Sequence, residues 1–255
     1  MWKLGDFKFK EELGRGKMGR VFRALEKKSQ KEVALKIVPK SCIDKTTFKA
    51  LRREVEVQAR LYHPNIVRLY GYFQDEYMLY LVLEYLDGGD LFNYIKRKGK
   101  LDEPQTKPIV RGVLRGLEHL NNLGVMHRDI KPENILLTSE LTPKIADFGH
   151  CALVPSDQNK RYSVCGTLQF ICPEMAESKG YNSSCDLWAL GQVMYECLMG
   201  KPTWKINSIE EIPKLNSVEV TCASEDCKDL IHKLLKKTQR PQVSEVISHK
   251  WLSCS

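Results

Sequence analysis

The sequence predicts an α+β chain of two lobes: a small, β-rich lobe carrying one long helix, and a larger, mainly helical lobe. Two observations carry this. As far as Leu86, apolar and β-branched runs of strand length flank one helical stripe. Beyond Asp87-Gly88-Gly89-Asp90, apolar residues recur with the period of helices. The lobes are therefore expected over residues 1–86 and 87–255.

Element by element, Val33-Ala34-Leu35-Lys36-Ile37-Val38 and Tyr80-Leu81-Val82-Leu83-Glu84 read as strands. Between them Leu51, Glu54, Val55 and Gln58 stand at i, i+3, i+4 and i+7, one face of a helix. In the second lobe, Ile109, Val113, Leu114, Leu117, Leu120 and Leu123 form an apolar stripe closed by Gly124, where a left-handed cap fits. Asp102 is the expected N-cap. Pro108, several residues in, removes an amide donor and should bend the first turns. Three more helical patterns run from Trp188 to Met199, Asp226 to Leu235 and Val243 to Trp251.

Bulk properties exclude several function classes. At 255 residues, 42% hydrophobic and 28% charged, the chain has the make-up of a globular protein with a sizeable core. No apolar run approaches membrane-spanning length and the first residues carry no secretory or myristoylation signal, so an intracellular protein without a membrane partner is expected. The net charge of +8 is spread along the chain without a basic block, which argues against direct nucleic-acid binding. Nine cysteines without metal-ligand spacing read as reduced, mostly buried thiols.

Chemistry enters with Gly14-Arg15-Gly16-Lys17-Met18-Gly19-Arg20-Val21. Glycines at this spacing let backbone amides approach phosphate oxygens, though a dinucleotide-binding turn or a flexible hairpin share the pattern. A strand follows here rather than a helix, which favours a hairpin over a nucleotide. Lys36 lies inside an apolar strand, where an ammonium is costly unless paired. Glu54 is the expected partner, either as a structural ion pair or as the carboxylate that steadies Lys36 on the α- and β-phosphates of ATP.

His127-Arg128-Asp129-Ile130-Lys131-Pro132-Glu133-Asn134 is the most specific signal. Asp129 can accept a hydroxyl proton, Lys131 can steady a γ-phosphoryl group, and Asn134 can hold magnesium. Asp147-Phe148-Gly149 adds a second magnesium carboxylate. Phosphoryl transfer asks mainly for positioning and charge neutralisation, which this set supplies. Together these motifs resemble the protein kinase signature. Glu174, in Cys172-Pro173-Glu174 where that family usually has Ala-Pro-Glu, is expected to pair with Arg240, and Asp186 to brace the catalytic loop.

A closer resemblance covers essentially the whole chain. Leu51 to Gln58, His63 to Phe73, Arg161 to Leu168 and His249 to Leu252 are similar to the Aurora kinase family, Gln58 standing where most kinases have an apolar residue. A buried glutamine needs partners, waters among them, which would leave the helix less secure. The resemblance implies one two-lobed protein kinase domain over 7–252, monomeric, using ATP and Mg2+. It implies nucleotide contacts at Gly14, Gly16, Gly19, Val21, Ala34, Lys36, Leu83, Glu84, Leu86, Glu133, Asn134 and Asp147, with Asn134 and Asp147 as metal ligands. The catalytic set is Asp129, Lys131, Asn134, Lys36 and Glu54.

The resemblance further implies protein substrates with Arg-x-Ser/Thr-apolar sites, histone tails among them, and Glu133 as acceptor of the substrate arginine unless it is simply a solvated carboxylate. Phosphorylation of Ser163, paired with Arg128, would activate the enzyme. An activator peptide is expected on the small lobe, where Tyr72 and Phe73 form a groove or belong to the core. A place on the spindle or chromosomes comes from resemblance alone. Departures are Ser163 for threonine, His150 for tryptophan, an unmatched Lys201–Ser224 stretch and a shortened approach to Arg240. The family's long N-terminal extension has no counterpart here, so control is expected from Ser163 and a partner in trans. Cys165 is either redox-sensitive or plainly packed. A basophilic kinase of a polo-like or protein kinase A-like group, or a pseudokinase scaffold, is the alternative reading.

Overall fold

The computed structural model describes residues 2–16, 19–154, 160–221 and 223–253. It divides into two compact units, Met1–Asp87 and Gly88–Ser255.

In the first unit, strands β1 (Phe7–Gly16), β2 (Gly19–Glu26), β3 (Lys31–Pro39), β4 (Leu69–Gln74) and β5 (Met78–Glu84) form one antiparallel sheet in the order β1-β2-β3-β5-β4. Helix α1 (Lys45–Gln58) starts where the Asp44 carboxylate accepts the Thr47 amide at 2.7 Å. Its inward face carries Leu51, Glu54 and Gln58, all buried, with Val55 half-buried. Gln58 has a protein partner: its Nε2 donates to the Val67 carbonyl at 3.0 Å. That bond ties the end of α1 to the chain entering β4, so the glutamine anchors the helix here. Phe73 is core, stacked between Phe7 (5.5 Å) and Tyr80 (4.6 Å). Its neighbour Tyr72 is 56% exposed, because adjacent strand residues face opposite ways. The two aromatics therefore do not share one groove.

The second unit contains α2 (Leu91–Lys98), α3 (Glu103–Asn122), β6 (Val125–Met126), β7 (Ile135–Leu137), β8 (Pro143–Ile145), β9 (Ala152–Leu153), α4 (Pro173–Ala176), α5 (Ser184–Met199), α6 (Glu225–Leu234), α7 (Val243–Ile247) and α8 (Lys250–Ser253). Strand β6 pairs with β9, and β7 with β8. Asp102 caps α3 reciprocally with Gln105, through bonds of 2.8 and 3.1 Å. Gly124, at φ 63°, follows its last turn. The helix runs through Pro108 as one element, forfeiting only that residue's amide bond. The expected helix over Val243 to Trp251 is instead split in two. His249 Nδ1 accepts the Trp251 amide at 3.3 Å, so this side chain starts α8 afresh.

Helix α5 is apolar nearly all round and buried from Cys185 to Leu198. It ends at Gly200, in the left-handed region at φ 68°. A Cβ there would lie 1.9 Å from the carbonyl oxygen of Gly99, the residue that ends α2. The expectation of reduced cysteines fails at one pair: Cys172 and Cys185 form a disulfide that links the start of α4 to the start of α5. Cys172, which stands where the family usually has alanine, thus has its partner thirteen positions away. Among the described residues Cys42, Cys165, Cys197 and Cys227 are free thiols. No helix of the described residues is long and apolar enough to cross a membrane.

Candidate active site

In the first unit the glycine motif is a hairpin: β1 ends on Gly16, β2 begins on Gly19, and Lys17 and Met18 lie outside the described residues. The strand–helix turn of a dinucleotide site is thereby excluded. A Cβ on Gly19 would sit 2.0 Å from the Ile37 carbonyl oxygen, so only glycine lets β2 close on β3 there. Val21 lies opposite Lys36 across β2 and β3, and Ala34 opposite Leu83 across β3 and β5. Leu86 is buried, and Leu83 and Glu84 are half-buried. Glu84 Oε2 accepts the Arg68 amide at 3.2 Å.

Lys36 Nζ donates to Glu54 Oε1 at 2.6 Å. Glu54 is 1% exposed, and its other oxygen is buried with no hydrogen-bond partner among the described residues. A buried carboxylate with one bare oxygen depends heavily on its single ammonium.

In the second unit the chain between β6 and β7 is held from below by Asp186. Its carboxylate accepts the His127 amide at 2.8 Å and the Arg128 amide at 2.7 Å. Those bonds fix Arg128 in the left-handed region, at φ 69°, which an arginine rarely adopts. Asp129 follows, 4% exposed. One of its oxygens accepts both the amide and the hydroxyl of Thr167, each at 2.8 Å. The other meets Lys131 Nζ and Asn134 Nδ2, each at 3.0 Å. Burial alone would raise its pKa, but the hydrogen bond and charge of Lys131, with the Thr167 bond, hold Asp129 below its ordinary value.

Asn134 turns its amide nitrogen to Asp129, also bonding the Asp129 carbonyl at 2.9 Å. Its remaining side-chain oxygen is a hard donor of the kind magnesium takes. The Asn134 carbonyl accepts the Ala146 amide at 2.8 Å, which brings Asp147 to the same end of the unit. Asp147 is exposed and at φ 61°. Its neighbour Phe148 is fully buried, edge-on to His127 with ring centroids 5.0 Å apart. Two hard oxygen donors, one anionic, thus suit a divalent cation.

Ser163 Oγ accepts from Arg128 Nη1 at 3.1 Å. Burial raises the Cys165 thiol against the pull of Arg128, which supports packing over redox sensitivity. Glu174 receives Arg240 on both oxygens, at 2.7 and 2.9 Å, as the sequence suggested. Glu133 is exposed. Three residues went unnoticed in the sequence. Thr167 was visible inside Cys165-Gly166-Thr167 but had no assigned task. Tyr181 bonds both Arg128 and Ser163. Glu196, on α5, is pushed up to about 7 by burial and then by the charge of Glu133.

Comparison with known families matches residues 7–252 to the protein kinase domain. The chain is 40% identical to Aurora kinase A-B of Xenopus laevis over 98% of its own length and 63% of that protein's. It is 41% identical to Aurora kinase C of Mus musculus, covering 98% of this chain and 92% of the relative, and 41% identical to mouse Aurora kinase B, covering 98% and 74%. The chain therefore spans somewhat under two thirds of the frog relative and nearly all of one mouse relative. With a kinase match across almost its whole length and these identities, the chain belongs to the Aurora family of protein kinases.

Proposed function

We propose that the chain transfers the γ-phosphoryl group of ATP to serine or threonine hydroxyls of proteins carrying an arginine two residues before the acceptor. The observation that supports this most is Asp129, a buried carboxylate kept ionised by Lys131 and Thr167. An ionised Asp129 accepts the proton of the attacking hydroxyl. Lys131 would steady the phosphoryl group in flight, and Lys36, steadied by Glu54, would hold the α- and β-phosphates. Magnesium, when bound, neutralises charge on the β- and γ-phosphates, and Asn134 Oδ1 with the Asp147 carboxylate are the ligands this chain offers. The hairpin glycines Gly14, Gly16 and Gly19 cover the phosphates, while Val21, Ala34, Leu83, Glu84 and Leu86 receive the adenosine.

Glu133 and Glu196 together suit the substrate arginine: burial raises Glu196 and the charge of Glu133 adds to it, and a guanidinium would offset both. The sequence Arg161-x-Ser163-Val164 is itself such a site, so one copy can activate another. Phosphate on Ser163 would pair with Arg128, whose hydrogen-bond acceptors among the described residues are neutral. Exposed Tyr72 is available to an activating peptide of a partner protein. A role in cell division, at the spindle or chromosomes, is what the family resemblance implies.

Transfer of radiolabelled phosphate from ATP with magnesium to a histone-tail peptide bearing Arg-x-Ser-apolar tests the reading. Absence of transfer would leave a pseudokinase. Transfer only to acidic-context peptides would remove the Aurora-type specificity, and transfer that tolerates loss of the apolar residue after serine would favour a neighbouring basophilic group. Full activity of Ser163→Ala would sink the phospho-activation.

A further inference from the structure

The segment carrying Ser163 is tied to the catalytic loop at two places. One is Thr167 on Asp129. The other lies at Tyr181, which follows α4. The Tyr181 backbone forms an antiparallel bridge with Arg161, two bonds of 2.9 Å, placing its side chain beside Ser163. Its ring is 2% exposed, packed with Met126 and Trp188. Its hydroxyl donates to the Ser163 carbonyl at 2.6 Å and accepts from Arg128 Nη1 at 2.9 Å. A phenol has one hydrogen to give, and here it goes to Ser163 while a lone pair takes Arg128.

Arg128 otherwise meets the His150 carbonyl at 2.7 Å, the Cys151 carbonyl at 3.5 Å and Ser163 Oγ at 3.1 Å. Among the described residues the hydrogen-bond acceptors of this guanidinium are all uncharged. Gly166, at φ 93°, would drive a Cβ to 2.5 Å from the Arg128 carbonyl oxygen, so the segment lies directly on the catalytic loop.

We infer that the Tyr181 hydroxyl is a positioning group that does for the unphosphorylated enzyme what phosphate on Ser163 does later: it clamps the segment to Arg128 and so keeps Thr167 on Asp129. The inference rests on the phospho-activation reading above. A phosphate dianion binds a guanidinium more strongly than a phenol does, so phosphorylation makes the Tyr181 bond dispensable. Tyr181 thereby supplies the basal activity from which one copy phosphorylates another.

The test compares wild type and Tyr181→Phe, each in two forms: phosphatase-treated, and with phosphoserine installed at 163 by genetic-code expansion. Phenylalanine keeps the buried ring and removes only the hydroxyl. In the unphosphorylated form Tyr181→Phe should lower kcat about tenfold, the worth of a hydrogen bond to a charged group. In the phosphoserine form the two proteins should agree within about twofold, the charge-assisted contact having taken over. Equal kcat in the unphosphorylated pair overturns the inference. So does an equal loss in both forms, the signature of a ring or fold effect. Should wild type show the same kcat with and without phosphate, the phospho-activation reading fails separately. Tyr181→Phe must then still lose kcat, or the clamp fails too.

Discussion

Glu54 and Asp129 are both buried carboxylates that meet a lysine, yet their surroundings differ. Asp129 engages Lys131, Asn134 and two groups of Thr167, so both of its oxygens are occupied. Glu54 has one oxygen on Lys36 and the other bare in the protein interior. The first carboxylate is over-determined; the second is held once. On the proposed function, the contrast assigns the chemistry to a pre-built loop and leaves the small unit's helix as the part with something to gain from an outside contact. A site with redundant partners tolerates the loss of one, and a singly held pair does not.

The sharpest way to isolate the first region is Asp129→Asn, expected to lower kcat about 1,000-fold with ATP binding retained, measured by steady-state kinetics and nucleotide titration. Glu54→Gln should cost about 100-fold in kcat/KM for ATP, since Lys36 loses its anchor. Thr167→Val removes only one of the groups on Asp129 and should cost about tenfold. A larger loss from Thr167→Val than from Glu54→Gln would break the comparison.

Glu196 offers a pH test. It titrates near about 7 in the folded protein against an ordinary 4.5. The folded state therefore holds more protons between those values, so the stability from protonated Glu196 is full below 4.5 and lost as pH rises through 7. Binding runs the other way, because arginine needs the ionised form. KM for an Arg-x-Ser peptide should fall about fivefold from pH 6 to 8 and stay flat in Glu196→Gln. That variant should also lose much of the wild-type decline in melting temperature over the same range. The smallest effect is expected from Gln58→Leu. Losing the Val67 bond should raise KM for ATP about threefold, as a single neutral hydrogen bond would.

Much of this was legible because the informative residues are near one another in the chain. The cap at Asp102, the turn at Gly124 and the cluster from His127 to Asn134 are local patterns, readable without knowing where the chain goes. Glu54 could be matched to Lys36 because helix and strand periods fix which residues face inward. Tyr181 and Glu196 could not be read in this way. Each acts on a residue 18 to 63 positions away, Ser163 or Glu133, and only the path of the chain between brings them together. The disulfide was hidden for the same reason, two single cysteines being indistinguishable from packed thiols. Of the pair left open as groove or core, Phe73 is core and Tyr72 exposed, a split strand alternation could have assigned. The break at His249 follows from a side chain bonding its own backbone, which apolar periodicity does not register.

The meeting of Gly99 and Gly200 bears on how mutational surveys of this chain should be interpreted. Any side chain at Gly200 would collide with a main-chain carbonyl, which cannot rotate aside as a side chain does. In saturation mutagenesis Gly200 should therefore score as intolerant as Asp129, though nothing in its surroundings is chemical. Intolerance at the end of α5 records a junction between two helix ends. The two kinds of essential residue separate only when folded yield and turnover are scored independently.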